Sequence, residues 1–284
     1  MNEKMIKTIP ATISDIPSLP VVASRILQII ANDASSLEEL KKVISMDQSF
    51  SSRLLRVANS PHFRASNKID DITDAITRIG FTTVQALVFA ISLRDLQRAA
   101  DKTDQLLWEH NLAVSVASSL ITREAGLAPA GDPFIFGLLH DIGKVVLNHS
   151  IKEQYAHVIR RVGEQNLPFV DAENEMLGFD HCAVGEYVAR QWQLPENICY
   201  VIANHHNPDV LSIKETDLKR KTLVVKAADA LCGAAGIGLT HCGEIADGEW
   251  QFLKLSTAKK REALRGKMEK EYQIYHEFVM GPAQ

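Results

Sequence analysis

The chain has 284 residues, 46% of them hydrophobic, and its 31 basic side chains are nearly matched by 35 acidic ones. That length allows one large domain or two modest ones, with apolar residues enough for a buried core. The charges are well mixed, unlike the concentrated positive surface that phosphate backbones select, so nucleic acid is not an expected partner.

The longest uncharged apolar run, Val84 to Leu93, is about ten residues, whereas a bilayer span needs roughly 20. The opening MNEKMIKTIPATISD lacks the apolar core and small-residue cleavage site of a secretory signal. No membrane association and a cytoplasmic location are therefore expected. Cys182, Cys199, Cys232 and Cys242 form no C-x-x-C pair and read as reduced thiols that pack like small apolar residues.

Helical periodicity runs through the first half. Val22, Ile26, Ile29 and Ile30 repeat at three- and four-residue steps behind Pro17 and Pro20, the mark of one buried helix face. Ser36-Leu37-Glu38-Glu39 has the form of a capping box. Asp47 can cap the next helix, which should stop near Asn59-Ser60-Pro61 because a residue before proline is pushed out of the helical region. A short helix is predicted over 71–79, with Gly80 ending it and Thr82 starting a long one to about Leu96. Its segment Val84 to Leu93 should be the most buried of the first half. The polar stretch from Ala99 to Asp104 is a candidate boundary.

The second half continues in helices over about 104–124 and from Asp132-Pro133 through Phe136, Leu139, Ile142 and Val146. Further helices are predicted over 152–165, 180–192, from Pro195 to Asn204, 218–231 and 257–278. The basic stretch Lys259 to Lys270 is interrupted by Glu262 and Glu269 and reads as a solvated helix face.

Gly137-Leu138-Leu139-His140-Asp141-Ile142-Gly143-Lys144 is the most informative stretch. Burying an ionised carboxylate is costly unless it is paired or binds a cation, and Lys144 lies one turn beyond His140. Gly143 leaves room for a ligand or another helix. Taken singly, Asp141 and Asp229 could equally be buried ion-pair partners or helix-capping groups. The weight of His140-Asp141 comes from His110, His181, His205, His206 and Asp229, which add metal-capable groups from other predicted helices. A helical fold builds a convergent metal site in this way. Mixed imidazole and carboxylate donors suit one or two divalent transition-metal ions such as iron, manganese, zinc or nickel. In paired-metal sites a bridged water attacks phosphate esters, and Lys144 could then neutralise phosphate charge.

The ordered set His…His-Asp…His…His-His…Asp resembles the HD superfamily of metal-dependent phosphohydrolases over roughly Trp108 to Leu231. More of the chain is similar to the HDOD family, the HD-related output domains of bacterial signalling proteins. The residues that carry this likeness include Ile16-Pro17-Ser18-Leu19-Pro20, Met46-Asp47-Gln48-Ser49-Phe50, Leu54 to Ser60, Ala75 to Gly80, Gly137 to Lys144, Asp180 to Gly185, Trp192 to Pro195 and His205 to Pro208.

The resemblance implies an all-α fold of two helical lobes: an N-terminal lobe over 1–100 and an HD-like bundle over 101–240, followed by a helical extension over 241–284. It implies a regulatory output role with a signalling protein as partner. It also implies that His110, His140, Asp141 and Asp229 hold one ion. Asp141 would bridge to a second, held by His181, His205 and His206, with Lys144 facing substrate phosphate. The alternative to regulation is a metal-dependent phosphohydrolase acting on a nucleotide or phosphate ester, with Lys144 and Asp141 in the catalytic roles. Cyclic di-GMP hydrolysis, known from the related HD-GYP enzymes, is disfavoured: Asn207-Pro208-Asp209-Val210 replaces the Gly-Tyr-Pro element, and Leu106 stands where those enzymes can carry glutamate.

Overall fold

In the computed structural model, residues 3–13, 16–31, 36–60, 63, 68–97, 101–127, 132–239 and 243–280 are described. All regular structure among them is helical, the all-α fold that the periodicity predicts. The contacts group the chain into two units, Met1–Ser18 with Ala99–Lys270, and Leu19–Arg98 with Glu271–Gln284. Among the described residues no single helix is long and apolar enough to cross a membrane.

Helix α1 (Glu3–Thr12) belongs to the larger unit. The smaller unit holds α2 (Val21–Ala31), α3 (Leu37–Ser45), α4 (Gln48–Ala58), α5 (Ile72–Ile79) and α6 (Phe81–Gln97). Side-chain oxygens set their starts. Ser36 accepts from the Glu39 amide while the Glu39 carboxylate accepts from the Ser36 amide, closing the expected capping box. Asp47 and Asp71 cap α4 and α5. Each such cap supports its helix by about 1 kcal/mol.

Two local expectations need adjustment. The stop after Ala58 is held by Asn59, whose amide donates to Leu55 O and Ile69 O while its oxygen accepts from the Ile69 amide; Pro61 lies outside the described residues. The long helix begins at Phe81 rather than Thr82, directly after Gly80 at φ +98°, a conformation that glycine adopts readily. Every residue from Val84 to Leu93 is buried, as expected, and α6 packs against α2 and α5. Arg94 donates to the carbonyl of Val279 within the same unit.

The larger unit is built on α7 (Lys102–Glu124), followed by α8 (Pro133–Leu139), α9 (Ile142–Ser150), α10 (Lys152–Gln165), α11 (Phe169–Leu177), α12 (His181–Gln191), α13 (Glu196–Asn204), α14 (Thr216–Ala234), α15 (Asp247–Phe252) and α16 (Ala258–Met280). Residues of α16 after Lys270 count with the smaller unit. Helix α7 packs on α8 and α14, and α12 packs on α9 and α13. Two glycines let backbones meet. A Cβ on Gly137 would lie 2.6 Å from the Ser115 Cα in α7, and one on Gly143 would collide with the His181 carbonyl and stand 2.8 Å from the Gly185 amide in α12. The room at Gly143 is thus filled by a helix.

The structure corrects the reading of one continuous helix from Asp132 to Val146. Asp132 does cap α8 through the Phe134 amide, but the helix ends at Leu139. Asp141, at φ −103° and ψ 20°, stands before α9 as its N-cap residue without making a side-chain cap bond. Its carboxylate is thereby left for other partners. Helix α11, for which the sequence pattern predicts no element, fills the segment before Gly178.

A candidate metal centre

The break between α8 and α9 puts His140 and Asp141 side by side in the interior. Around them, α7 brings His110, α9 brings Lys144 and α14 brings Asp229. The first residue of α12 is His181, and His205 and His206 follow the last residue of α13. All seven residues expected as ligands, with Lys144, fall into one cluster. His110, His140, Asp141, His181 and His205 are fully buried, and the His206 side chain is 31% exposed.

Asp141 is the hub, and its two oxygens face different groups. Oδ2 is 2.6 Å from Lys144 Nζ, 3.4 Å from His140 Nε2 and 3.7 Å from His110 Nε2. Oδ1 is 3.3 Å from His181 Nε2 and 3.5 Å from His205 Nε2. Asp229 closes the other side, with Oδ1 3.0 Å from His110 Nε2 and Oδ2 3.9 Å from His206 Nδ1.

The far nitrogen of four rings is engaged. Nδ1 lies 3.3 Å from Ile237 O in His110, 2.7 Å from Gly137 O in His140 and 2.8 Å from Ile202 O in His205. In His181 it lies 2.6 Å from Glu173 Oε2. Acceptors at Nδ1 hold the proton there, so in the neutral ring the Nε2 lone pair faces inward. Those four Nε2 atoms and Asp141 Oδ1 are buried with no hydrogen-bond partner. Orphaned buried polar atoms are costly, and these five are all of metal-ligand type. One ligand atom from each of His110, His140 and Asp141 lies within 4.8 Å of the other two, and His181, Cys182, His205 and His206 form a second such group. The donors therefore fit one or two divalent transition-metal ions.

The electrostatics agree with a charged, paired cluster. Burial pushes the Asp141 carboxyl up, but His140, Lys144 and His181 outweigh it and hold the group well below the usual carboxylate range. Burial likewise opposes ionisation of Asp229, and the adjacent His110 overcomes it. Burial drives His140 and His206 down, toward the neutral form that binds metals. Against burial, Glu173 raises His181 well above its ordinary value, and Cys182 and Asp141 raise His205 to about 10. An ion on those two rings displaces protons, so its affinity falls in acid.

Glu173 was not among the residues singled out from sequence. It is fully buried on α11, accepts from Tyr155 OH at 2.8 Å and from the His181 amide at 2.8 Å, and also binds His181 Nδ1. A signal existed: Pro168 and Gly178 bracket the segment, and Phe169, Ala172 and Glu173 share its buried face. Phe169 on the same helix lies 4.4 Å beneath the Lys144 ammonium. Lys144 itself is 3% exposed and is spent on Asp141 rather than turned to open solvent.

A helical body that gathers its histidines around one aspartate defines a protein of the HD-related class. The chain belongs to the HDOD family: the HDOD domain model matches residues 16–208. An uncharacterised protein of Treponema pallidum is 28% identical over 205 residues, 72% of this chain and 40% of that protein. The chain spans about two fifths of the length of the curated relatives it matches. Among solved structures, an HDOD domain protein of Geobacter sulfurreducens aligns with a TM-score of 0.79 at 23% identity, over 97% of this chain and 96% of that one. A candidate signal transduction protein of Marinobacter aquaeolei aligns with a TM-score of 0.78 at 18% identity, over 96% of this chain and 61% of that one. These likenesses bear on the fold.

Proposed function

We propose that this chain is a regulatory output module whose second lobe holds one or two divalent metal ions in an enclosed site, and that it acts by docking a signalling protein. The observation that carries the metal reading is the convergence of four buried, unpartnered Nε2 atoms on Asp141. The groove that reaches the cluster, of about 510 Å³, is lined by Asp180, Glu186 and Glu196. Its Arg190 is held by both glutamates, so this entrance repels a phosphate ester. The description of the Marinobacter aquaeolei neighbour as a candidate signal transduction protein points the same way.

The completeness of the ligand set favours a second reading, a metal-dependent phosphohydrolase acting on a nucleotide or phosphate ester, with Asp141 bridging the ions and Lys144 meeting phosphate. One pair of measurements separates these readings. Elemental analysis of the purified protein should find one or two equivalents of transition metal, lost in the His140→Ala, Asp141→Ala variant; no metal even after reconstitution removes both readings. The metal-loaded protein is then offered a panel of phosphate monoesters, diesters and nucleotides. Absence of turnover supports the regulatory module, and metal-dependent turnover lost in the variant overturns it in favour of the hydrolase.

A further inference from the structure

Cys182 follows His181 at the start of α12 and differs in its setting from the other described thiols. It is 7% exposed and lines the groove that His206 also lines. Its Sγ lies 3.9 Å from His205 Nδ1. One ligand atom from each of His181, Cys182, His205 and His206 lies within 4.8 Å of the other three. Two of these residues, His181 and His205, are fully buried with Nε2 lacking any hydrogen-bond partner. Cys199, by contrast, is engaged by the Leu194 carbonyl, and neither it nor Cys232 joins a group of ligand atoms among the described residues.

We propose that Cys182 is a thiolate ligand to the ion beside His181, His205 and His206, which makes this half of the centre a three-imidazole, one-sulfur zinc site. The inference rests on the metal-centre reading and adds a donor and a metal to it. Zinc takes nitrogen and sulfur ligands in closed four-coordinate sites. Thiolate is a soft donor that suits zinc, whereas carboxylate-rich sets suit manganese. The group around His110, His140 and Asp141 contains no sulfur, so the two halves of the cluster differ in the metal they prefer. On loading, the S–H bond breaks, a sulfur–metal bond forms and the proton leaves to solvent. Among the described thiols, the one beside the cluster is thus a ligand rather than packing.

Cobalt(II), which reports sulfur ligation by a near-ultraviolet charge-transfer band, is the probe. The full chain is stripped, titrated with cobalt, and followed by absorbance and by bound-metal analysis in parallel with Cys182→Ser, Cys242→Ser and Cys199→Ser. The expected result is a sulfur-to-cobalt band in the parent chain that persists in the Cys242 and Cys199 variants and disappears in Cys182→Ser. In chelator Cys182→Ser should retain its melting temperature, and on loading it should keep its metal at the sulfur-free half. Its zinc affinity should fall at least ~10-fold, the lower end for loss of a supporting partner. Cobalt bound without a band, or a band that survives in Cys182→Ser, overturns the proposal and leaves the wider metal reading standing. No cobalt bound in any variant overturns both.

Discussion

Replacing Lys144 with methionine isolates the electrostatic centre of the cluster. Its Nζ lies 2.6 Å from Asp141 Oδ2, and both side chains are buried. Burial works against the ammonium, but Asp141, then Asp229 and Glu173, raise its pKa above the ordinary lysine value. The stabilisation is therefore complete at neutral pH and is lost only as pH climbs through that raised value. At this separation an effective dielectric of about 20 gives ~6 kcal/mol of attraction. Drying two ions takes back part of that, and breaking a buried pair from one side costs ~3–5 kcal/mol. Methionine keeps an apolar stem over Phe169, so the packing loss is small. In chelator, Lys144→Met should lose at least ~3 kcal/mol by urea denaturation and melt ~6–12 °C lower, at 2–4 °C per kcal/mol for a unit of this size. With zinc or manganese present the gap should narrow, because a bound cation takes over the charge on Asp141. Equal urea midpoints for variant and parent in chelator would refute this account of how the Asp141 carboxylate is held.

Four further substitutions test other parts of the structure. Glu173→Gln removes the charge behind His181 while keeping an oxygen for Tyr155; calorimetric metal affinity should drop ~10–100-fold with the helical content retained, and an unchanged affinity would separate Glu173 from the site. Gly143→Ala should destabilise by at least ~1–3 kcal/mol because its Cβ meets the α12 backbone, whereas Gly163→Ala, with nothing within 4 Å, should gain ~0.5–1 kcal/mol in α10; matching urea midpoints would contradict the close approach. Asp132 is half-buried, with Oδ2 enclosed and unpartnered, and burial raises its carboxyl to about 6. Above that pH ionisation costs the native state, and between about 6 and 4 the native state takes up its proton before the unfolded chain does. Asp132→Asn, which keeps the cap, should therefore stabilise by ~1–2 kcal/mol at pH 7.5, with the advantage shrinking toward pH 4; a pH-independent difference would show that ionisation is not the cause.

Much of this was legible in the chain because it rests on local chemistry. Ser36, Asp47, Asp71, Asp132 and Asp180 announce helix starts by residue type, and the structure caps helices with each of them. His140, Asp141 and Asp229 were conspicuous because they stood in apolar surroundings, and the other histidines drew their weight from the ordered set they complete. The break at His140 was not legible, since Phe136, Leu139, Ile142 and Val146 keep helical spacing across it, and only the packing of α8 on α7 and α9 on α12 ends one helix and starts another. Glu173 was missed because its meaning depends on His181, eight residues on, and Cys182 because a small thiol next to a histidine looks like packing until the groove is seen. The contact grouping of the first eighteen residues with 99–270 is a long-range property that no local pattern encodes.

The part-exposed ring of His206 has a kinetic consequence. The other imidazoles of the cluster are fully buried, so an ion bound there, as proposed, would exchange with solvent past His206. Its release would then be paced by the movement of that ring, more chelator beyond a modest excess would not hasten metal loss, and occupancy would lag behind any change in the surrounding metal supply.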